Sequence, residues 1–456
     1  MNYKRSIYNV VIDKLDNGDV LLYNTYSGMY GKADVKTLSI YDDIENVDID
    51  SVADKSDLKN ISTMIRCGFI VRPEKDELST VKLERATARY SQNSLGLTIT
   101  PTMDCNMCCP YCYEDKNTAV MSAEVQNQLI QFVASHLQSR QSIKNMSVVW
   151  YGGEPLMQKE IISNLSKKFI EMCAEKGVEY SSSIVTNGVL LDVETAKMLA
   201  NDCMIKNAQI TIDGMQELHN QRRILLNGED SFSAIIQNID GCKGILPISV
   251  RVNVDKENAD EVETLVKYFV DVKGWGTDPH FYFAPVEKFE NESCKIDASS
   301  CLLSEEFAHI VNNYERISYA ANPESVSRNF FQRRRSVFCG FESHNVYVVD
   351  PEGYIYNCWH HIGAKERISG HVSRPFVVNS NYAKWLLNEL PGQCYECAYL
   401  PMCQGSCGTD RIYNDDETAK CFHLVYTYKN TLKLAYEDYI IQKAKTAKTD
   451  AATPVS

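Results

Sequence analysis

The feature that most constrains the fold of this 456-residue chain is a repeated alternation of strand-like and helix-like stretches from Leu95 to about residue 325. Short apolar runs rich in β-branched residues predict strands, and apolar residues at helical spacing predict helices. The predicted strands are Leu95–Thr100, Met146–Trp150, Ser182–Thr186, Ala208–Ile212, Ile248–Val254 and His280–Phe283. The predicted helices between them include Ala123–His136, Ile161–Lys176, Val193–Asn201 and Ala259–Val270. Six such repeats predict a parallel sheet curled into a partial (β/α)6 barrel, with the post-strand loops facing one site.

A cysteine-rich loop follows the first predicted strand. Residues 105–112 read Cys-Asn-Met-Cys-Cys-Pro-Tyr-Cys, in which Cys105, Cys109 and Cys112 have CxxxCxxC spacing. Three thiolates on one short loop can hold three irons of a cubane cluster and leave the fourth iron open. A zinc site is an alternative that the residues alone do not exclude, and Cys108 could take the place of Cys109 as a ligand.

The loops after the next three predicted strands carry residues suited to a bound ligand. Tyr151-Gly-Gly-Glu-Pro155 follows the second strand, Thr186-Asn-Gly188 the third and Thr211-Ile-Asp-Gly214 the fourth. Paired glycines let the backbone approach a ligand closely, and backbone carbonyls with a glutamate suit an ammonium group. The stretch His219-Asn-Gln-Arg-Arg223 comes shortly after the last of these loops.

The triad and these loops together resemble the radical S-adenosyl-L-methionine (SAM) superfamily. The resemblance implies that Cys105, Cys109 and Cys112 bind a catalytic 4Fe-4S cluster, and that Cys108 is not a ligand. In that family the open iron is chelated by the amino and carboxylate groups of SAM, whose reductive cleavage yields a 5′-deoxyadenosyl radical. The residues that the resemblance assigns to cofactor binding are Tyr111, Gly152, Gly153, Glu154, Asn187, Thr211, Asp213 and Arg223.

Within that set the resemblance is more specific for two residues. Thr211 and Arg223 are candidates for contacts with the ribose and the carboxylate of SAM. The chain departs from the family's HDxxR pattern, because Asn220 replaces the aspartate, and a share of Arg222 in the role of Arg223 stays open.

A second group of cysteines begins at Cys339 and continues through Cys358 to Cys421. The hairpin Pro351–Tyr356 is predicted between the first two cysteines, and Cys394-x2-Cys397-x5-Cys403-x3-Cys407 follows. The four cysteines from Cys394 to Cys407 alone fit a zinc knuckle. The full spacing matches the seven-cysteine pattern of the SPASM domain, which holds auxiliary 4Fe-4S clusters in peptide-modifying radical SAM enzymes.

The SPASM resemblance also implies how the ligands are shared between two auxiliary clusters, which makes three clusters in all. One cluster would be bound by Cys394, Cys397, Cys403 and Cys421, and the other by Cys339, Cys358 and Cys407. One iron of the second cluster then has no assigned protein ligand. Cys294 or Cys301 could supply it, or a substrate thiolate could, since sulfur is the soft ligand that such irons prefer.

Residues 1 to about 90 are predicted to form a small separate domain. Tyr8–Asp13 and Val20–Asn24 are predicted strands joined at Asp16-Asn-Gly18. Helices around Asp34–Tyr41 and Ser56–Cys67 and a strand at Gly68–Val71 follow. This arrangement resembles the winged-helix recognition element of peptide maturases, in which the leader of a precursor peptide adds a strand to a sheet edge. A simple N-terminal packing extension is the alternative.

Composition narrows the partners and the compartment. With 47 basic and 60 acidic residues the formal charge is −13, which predicts neither nucleic acid nor an anionic membrane as a partner. The sequence predicts no signal peptide and no membrane span, and hence a cytoplasmic protein. Seventeen cysteines there favour metal ligation over disulfides. The scattered cysteines predicted as plain core residues are Cys67, Cys173, Cys203 and Cys242.

The predicted architecture is therefore α/β in four parts. These are a winged-helix-like α+β leader-recognition domain (1–90), a partial radical SAM barrel (91–325), a cysteine-rich SPASM domain (326–440) and a tail of frayed helix or disorder (441–456). The resemblance implies a radical SAM maturase of ribosomally synthesised precursor peptides, of the thioether-forming ranthipeptide or sactipeptide type. It would take electrons from a flavodoxin- or ferredoxin-type reductant. The alternatives are a carbon–carbon or carbon–oxygen crosslinking maturase, a formylglycine-forming enzyme of the anaerobic sulfatase type, and a metal-binding peptide scaffold without catalysis.

Overall fold

The chain divides into two compact units. The computed structural model describes residues 2–115, 117–275, 279–288, 294–321, 334–413, 421 and 423–451. The first unit comprises Met1–Ala88, Ala308–Phe338 and Glu389–Ser456, and the second comprises Arg89–Phe307 and Cys339–Asn388. The functional domains assigned to 1–90, 91–325 and 326–440 stay predictions.

The elements are numbered in chain order. The strands are β1 (Lys4–Arg5), β2 (Asn9–Lys14), β3 (Val20–Asn24), β4 (Met29–Ala33), β5 (Ile70–Val71), β6 (Ser94–Ile99), β7 (Asn145–Trp150), β8 (Glu179–Thr186), β9 (Ile205–Thr211), β10 (Ile248–Val254), β11 (His280–Pro285), β12 (Val346–Val349), β13 (Tyr354–Tyr356) and β14 (Gly370–His371). The helices are α1 (Val35–Asp42), α2 (Lys55–Cys67), α3 (Glu77–Arg89), α4 (Ala123–Ser139), α5 (Lys159–Lys176), α6 (Val193–Asn201), α7 (Gln216–Arg222), α8 (Ser231–Cys242), α9 (Val262–Lys267), α10 (Ser304–Ala321), α11 (Ser380–Leu386), α12 (Leu400–Cys403), α13 (Gly408–Tyr413) and α14 (Leu424–Ala451).

The second unit is built on a nine-stranded sheet with the strand order β11-β10-β9-β8-β7-β6-β12-β13-β14. Neighbours from β6 to β11 are parallel, and β12 is also parallel to β6. The pairs β12–β13 and β13–β14 are antiparallel, which confirms the hairpin predicted at Pro351–Tyr356. The sheet is open, since β11 and β14 are its edge strands. The six predicted strands and the α/β class with a central parallel sheet are confirmed.

Burial explains why these strands are readable from the sequence. β6 and β10 are nearly continuous buried runs, as expected for parallel strands that are covered on both faces. The helices predicted at Ala123–His136, Ile161–Lys176 and Val193–Asn201 are confirmed as α4, α5 and α6, and α9 occupies the middle of the fourth. The carboxyl ends of the parallel strands lie along one edge of the sheet, so the loops that carry the predicted site residues share that edge.

The first unit contains a three-stranded antiparallel sheet in the order β2-β3-β4, with β1 and β5 paired separately. The predicted strands and helices of the N-terminal segment are confirmed, and Gly18 takes the positive φ of +85° that the predicted turn needs. The sequence does not predict β4, because its centre is Gly31. A Cβ on Gly31 would lie 2.7 Å from a ring carbon of Phe69, so this close packing requires glycine.

The C-terminal helix belongs to the same unit. Tyr428 and Leu432 of α14 form one buried cluster with Ile12, Leu21 and Tyr23 of the N-terminal sheet. The N-terminal sheet therefore shares its core with the end of the chain.

The four scattered cysteines are confirmed as core residues, because all of them are buried: Cys67, Cys173, Cys203 and Cys242.

The tail was predicted to be a frayed helix end or disorder, and the structure has a helix over residues 441–451. α14 continues to Ala451, because this stretch is rich in alanine and lysine, which favour helix. Residues 452–456 lie outside the described residues. None of the helices that the structure describes is both long and apolar enough to cross a membrane.

Candidate active site

The cysteine loop lies at the carboxyl end of β6. Cys105 is buried, Cys109 and Cys112 are partly exposed, and Cys108 is exposed. The backbone N–H of Met107 and, at 4.0 Å, the side-chain amide of Asn187 both donate to Cys105 Sγ. Such N–H donors to a cysteine sulfur are one means by which proteins tune an iron–sulfur centre.

The backbone after Arg223 holds the cysteine loop in place. Cys108 N–H donates to the carbonyl of Ile224 at 2.8 Å, and Leu226 N–H donates to the carbonyl of Asn106 at 3.0 Å. Met107 and Leu225 form an antiparallel bridge between these two bonds. The loop is thus fixed from a second side, at the segment that carries the two predicted arginines.

Gly152 and Gly153 lie directly against the cysteine loop. A Cβ on Gly153 would be 2.2 Å from the carbonyl oxygen of Asp104, and one on Gly152 (φ +112°) would be 2.3 Å from Cγ2 of Thr100. Glu154 N–H donates to the Asp104 carbonyl at 2.8 Å. Only glycine permits this approach, so the spacing of the two glycines sets the position of the next residue, Glu154.

Glu154 is a fully buried carboxylate. Its Oε1 accepts from Leu156 N–H at 2.9 Å and from Thr186 Oγ1 at 2.7 Å, and its Oε2 accepts from Asn187 N–H at 2.7 Å. Burial raises the pKa of Glu154, while these hydrogen bonds act in the opposite direction. Oε1 accepts two of these bonds and Oε2 only one, so a lone pair of Oε2 can also bind a cationic group.

Tyr111, Asp213 and Arg223 come together in one hydrogen-bonded group. Arg223 Nη1 donates to the Tyr111 hydroxyl at 2.8 Å, and that hydroxyl donates to Asp213 Oδ2. Asp213 Oδ1 accepts from Asn253 N–H at 3.1 Å. Burial raises the pKa of Tyr111 well above its usual value, so the phenol is protonated at neutral pH.

Arg222 has a different environment from Arg223. It forms a bidentate ion pair with Asp255, with N–O distances of 3.1 and 2.8 Å, and its guanidinium lies 5.3 Å from the ring centre of Tyr111. Asp255 was not predicted as a site residue. Its position in the sequence could have identified it, because Asp255 directly follows β10 just as Asp213 follows β9 by two residues.

The remaining predicted SAM contacts lie on the same edge. Thr211 is buried at the end of β9. Asn187 Nδ2 donates to Asn106 Oδ1 at 2.6 Å, which links the third post-strand loop to the cysteine loop. Among the described residues, the buried polar atoms without a hydrogen-bond partner here include Thr100 Oγ1, Arg222 Nε and Arg223 Nε. Glycines that permit close approach, a buried carboxylate and unpartnered polar atoms together fit a zwitterionic ligand such as SAM.

Four of the C-terminal cysteines lie together in the first unit. Burial and, to a smaller extent, the neighbouring Cys403, Cys397 and Cys421 together raise the pKa of Cys394 to about 11. The pKa of Cys403 is also raised by burial and by Cys397 and Cys421. These are the four residues that the resemblance assigns to one auxiliary cluster. Their roles as ligands stay predictions.

The other auxiliary cysteines are divided between the units: Cys339 and Cys358 lie in the second, and Cys407 lies in the first. In the described part of the chain no three His, Cys, Asp or Glu side chains are arranged to share one metal ion. Each ligand of a cubane binds a different iron, so this geometry does not test the predicted clusters.

Cys294 lies next to the catalytic loop. The N–H of its neighbour Lys295 donates to the carbonyl of Pro110 at 2.7 Å. The thiolate of Cys294 also adds to the effect of burial in raising the pKa of Cys301, so these two cysteines are close to each other.

Comparison with known proteins agrees with this site. Residues 99–269 match the Radical SAM superfamily. A serine-type anaerobic sulfatase-maturating enzyme of Bacteroides thetaiotaomicron is 24% identical, over 68% of this chain and 81% of its own. A cysteine-type anaerobic sulfatase-maturating enzyme of Clostridium perfringens is 22% identical, over 75% of this chain and 96% of its own.

Two solved structures have the same fold. The structure of anSMEcpe with bound AdoMet (SAM) and a peptide has a TM-score of 0.58 and 20% identity, and covers 77% of this chain and 99% of its own. Streptococcus suis SuiB has a TM-score of 0.51 and 14% identity, and covers 92% of this chain and 98% of its own.

Residues 99–269 therefore match a radical SAM domain in sequence, and the parallel sheet that carries the site lies mostly within this stretch. The domain implies SAM and a 4Fe-4S cluster as cofactors, and the residues at the carboxyl edge of the sheet fit both.

Proposed function

We propose that this enzyme is a maturase that installs an intramolecular crosslink, a cysteine thioether, in a ribosomally synthesised precursor peptide. SAM at the catalytic site supplies a 5′-deoxyadenosyl radical that takes hydrogen from the peptide. Cys105, Cys109 and Cys112 hold the iron–sulfur cluster. Glu154 binds the SAM ammonium group, and Arg223 binds its carboxylate.

The other SAM-binding roles follow the positions of the residues on this edge. Gly152 and Gly153 admit the ligand against the cysteine loop, and Thr211 meets the ribose. Tyr111 and Asp213 orient Arg223 through the hydrogen bonds of its guanidinium and of the tyrosine hydroxyl. Asn187 ties the edge to the cysteine loop.

The edge strand of the N-terminal sheet is the observation that most supports a peptide as the substrate. In the described residues β4 pairs only with β3, so its outer edge has backbone groups available to an added strand. Such strand addition gives affinity through backbone hydrogen bonds and specificity through side-chain pockets. SuiB, whose likeness extends over 92% of this chain, is also known bound to the precursor peptide SuiA.

The thioether is supported by the count of cluster ligands. Cys394, Cys397, Cys403 and Cys421 lie together and account for one auxiliary cluster. Cys339, Cys358 and Cys407 leave one iron of the other cluster without a protein ligand. Cys294 lies beside the catalytic loop, where its neighbour Lys295 bonds to Pro110. The open iron can then hold a substrate cysteine as its thiolate.

The test is coexpression with candidate precursor peptides, in particular a short cysteine-rich reading frame beside the gene, followed by mass spectrometry. The product is expected to lose one pair of hydrogen atoms per crosslink, and the linked cysteine is expected to resist alkylation. A peptide without its leader should not react. A crosslinked product whose cysteines all remain alkylatable would replace the thioether with a carbon–carbon or carbon–oxygen bond.

A second candidate is formylglycine formation, favoured by the similarity to two anaerobic sulfatase-maturating enzymes. A sulfatase-derived peptide that acquires an aldehyde, without any leader, would establish this activity in place of crosslinking. A non-catalytic scaffold is excluded once the reduced protein cleaves SAM to 5′-deoxyadenosine. The flavodoxin- or ferredoxin-type reductant and the cytoplasmic location belong to the same proposal.

A further inference from the structure

Three aromatic residues of the second unit, Tyr113, Tyr151 and Trp359, form a continuous row, which we call the aromatic row. The hydroxyls of Tyr113 and Tyr151 are hydrogen-bonded to each other. The rings of Tyr151 and Trp359 are stacked, with centroids 5.0 Å apart and planes inclined by 19°. No sequence motif predicts this row, because its members come from loops far apart in the chain.

Each end of the row is attached to a predicted cluster ligand. Tyr113 directly follows Cys112, and Trp359 directly follows Cys358. Burial raises the pKa of Tyr151, and the thiolates of Cys112 and Cys358 raise it further, so both sulfurs lie near this one side chain. The row therefore connects a ligand of the catalytic cluster to a ligand of an auxiliary cluster.

The row is fixed by its surroundings. Tyr151 N–H donates to the carbonyl of Ile99 at 3.0 Å. His360 packs edge-on against Tyr113, with ring centroids 4.5 Å apart. Phe341 packs edge-on against Trp359, with ring centroids 5.2 Å apart, and lies outside the path between Trp359 and Tyr113.

We propose that the aromatic row conducts one electron between the iron–sulfur site on Cys358 and the catalytic site on Cys112. The inference rests on the proposed function only in taking Cys112 and Cys358 as cluster ligands. The row passes an electron from the Cys358 site, which is oxidised, to the Cys112 site, which is reduced. No bond forms or breaks, and no proton moves, since the rings serve as a medium and keep their hydrogens.

The row would let the enzyme reuse its electron. Cleaving SAM consumes one electron at the catalytic site, and closing the crosslink releases one from the peptide radical to the auxiliary site. Return through the row restores the catalytic site for the next cycle. The external reductant is then needed to start the reaction but not to sustain it.

The experiment uses the full-length protein, reconstituted anaerobically with iron and sulfide and without any peptide. The enzyme is reduced with dithionite, freed of reductant and mixed with SAM. Electron paramagnetic resonance follows the decay of the reduced auxiliary cluster as its electron is drawn toward SAM cleavage. In the wild type this signal should decay within the period of 5′-deoxyadenosine formation.

The variants separate the row from its neighbours. Trp359→Leu should slow the decay by an order of magnitude or more, because it removes the ring at the Cys358 end of the path. Tyr151→Phe and Tyr113→Phe keep the rings but lose the hydrogen bond between the hydroxyls, and should slow it less. Phe341→Leu is the matched control, because it removes a ring that contacts Trp359 but is not part of the path. In this variant the signal of the auxiliary cluster should decay at the wild-type rate.

Iron and sulfide content identifies any variant that has lost a cluster, and the phenylalanine variants still test the row if Trp359→Leu is one of them. Wild-type decay in Trp359→Leu and Tyr151→Phe, at full iron content, would overturn the inference and leave the proposed function intact. Absence of any auxiliary signal in the wild type, or one unaffected by Cys358→Ala, would overturn both.

Discussion

Glu154 offers the sharpest single-residue test of the SAM site. Its carboxylate is fully buried and is held by hydrogen bonds from Leu156, Thr186 and Asn187. Glu154→Gln keeps the size and shape of the side chain. It removes the negative charge that we assign to the SAM ammonium group, and it points an amide NH2 at one of the existing donors.

The expected loss of SAM affinity in Glu154→Gln can be calculated from these contacts. A hydrogen bond to a charged group contributes about 1.5–3 kcal/mol. Loss of one such bond to the ammonium group weakens SAM binding by about tenfold to a hundredfold, since about 1.4 kcal/mol corresponds to a factor of ten. Burial raises the pKa of Glu154, so this carboxylate becomes protonated at a higher pH than an exposed glutamate does. The affinity of the wild type for SAM should therefore begin to fall at that higher pH as the pH is lowered.

The assay is anaerobic equilibrium dialysis of SAM against reconstituted protein, with iron content measured on the same samples. Glu160→Gln is the matched control, because Glu160 is exposed on α5 nearby in the chain and undergoes the same chemical change. Equal SAM affinity in Glu154→Gln and wild type, at equal iron content, would refute the assignment of Glu154.

The other predictions test the packing around the site and the pH dependence of stability. Arg222→Ala should lower the free energy of unfolding by about 3–5 kcal/mol, measured in urea, because it leaves the buried carboxylate of Asp255 unpaired; the double variant Arg222→Met/Asp255→Leu should lose much less. Gly153→Ala should lower iron content by about four atoms per chain, because its Cβ would collide with the Asp104 carbonyl and displace the catalytic loop. The pKa of His136 is lowered by burial, so below its usual value of about 6.5 the unfolded chain binds more protons and stability falls as pH decreases. His136→Gln should reduce this pH dependence, measured by urea unfolding between about pH 7 and pH 5, and an unchanged slope would contradict it.

The parallel sheet could be predicted because its strands are continuous apolar runs bounded by turns. β4 lacks that signal and was missed, because Gly31 is at its centre. For the tail the sequence left a helix end and disorder as alternatives, and its alanines and lysines extend α14 to Ala451.

The site was predictable wherever one loop carries its own pattern, as in the cysteine triad and the paired glycines. Contacts between loops were not, because their partners depend on strand order and on side-chain direction. Asp255, which holds Arg222, is one example. The aromatic row is another, since the pairing of Tyr151 with Trp359 joins loops about two hundred residues apart in the chain.

The most direct test of the account is the iron, sulfide and zinc content of anaerobically reconstituted protein, compared with a Cys105/Cys109/Cys112→Ala triple variant. Three cubane clusters predict about twelve irons per chain in the wild type and about eight in the variant. Reduced wild-type protein should also cleave SAM to 5′-deoxyadenosine, and the variant should not. About four irons with stoichiometric zinc would make the C-terminal cysteines structural and contradict both the thioether and the electron path.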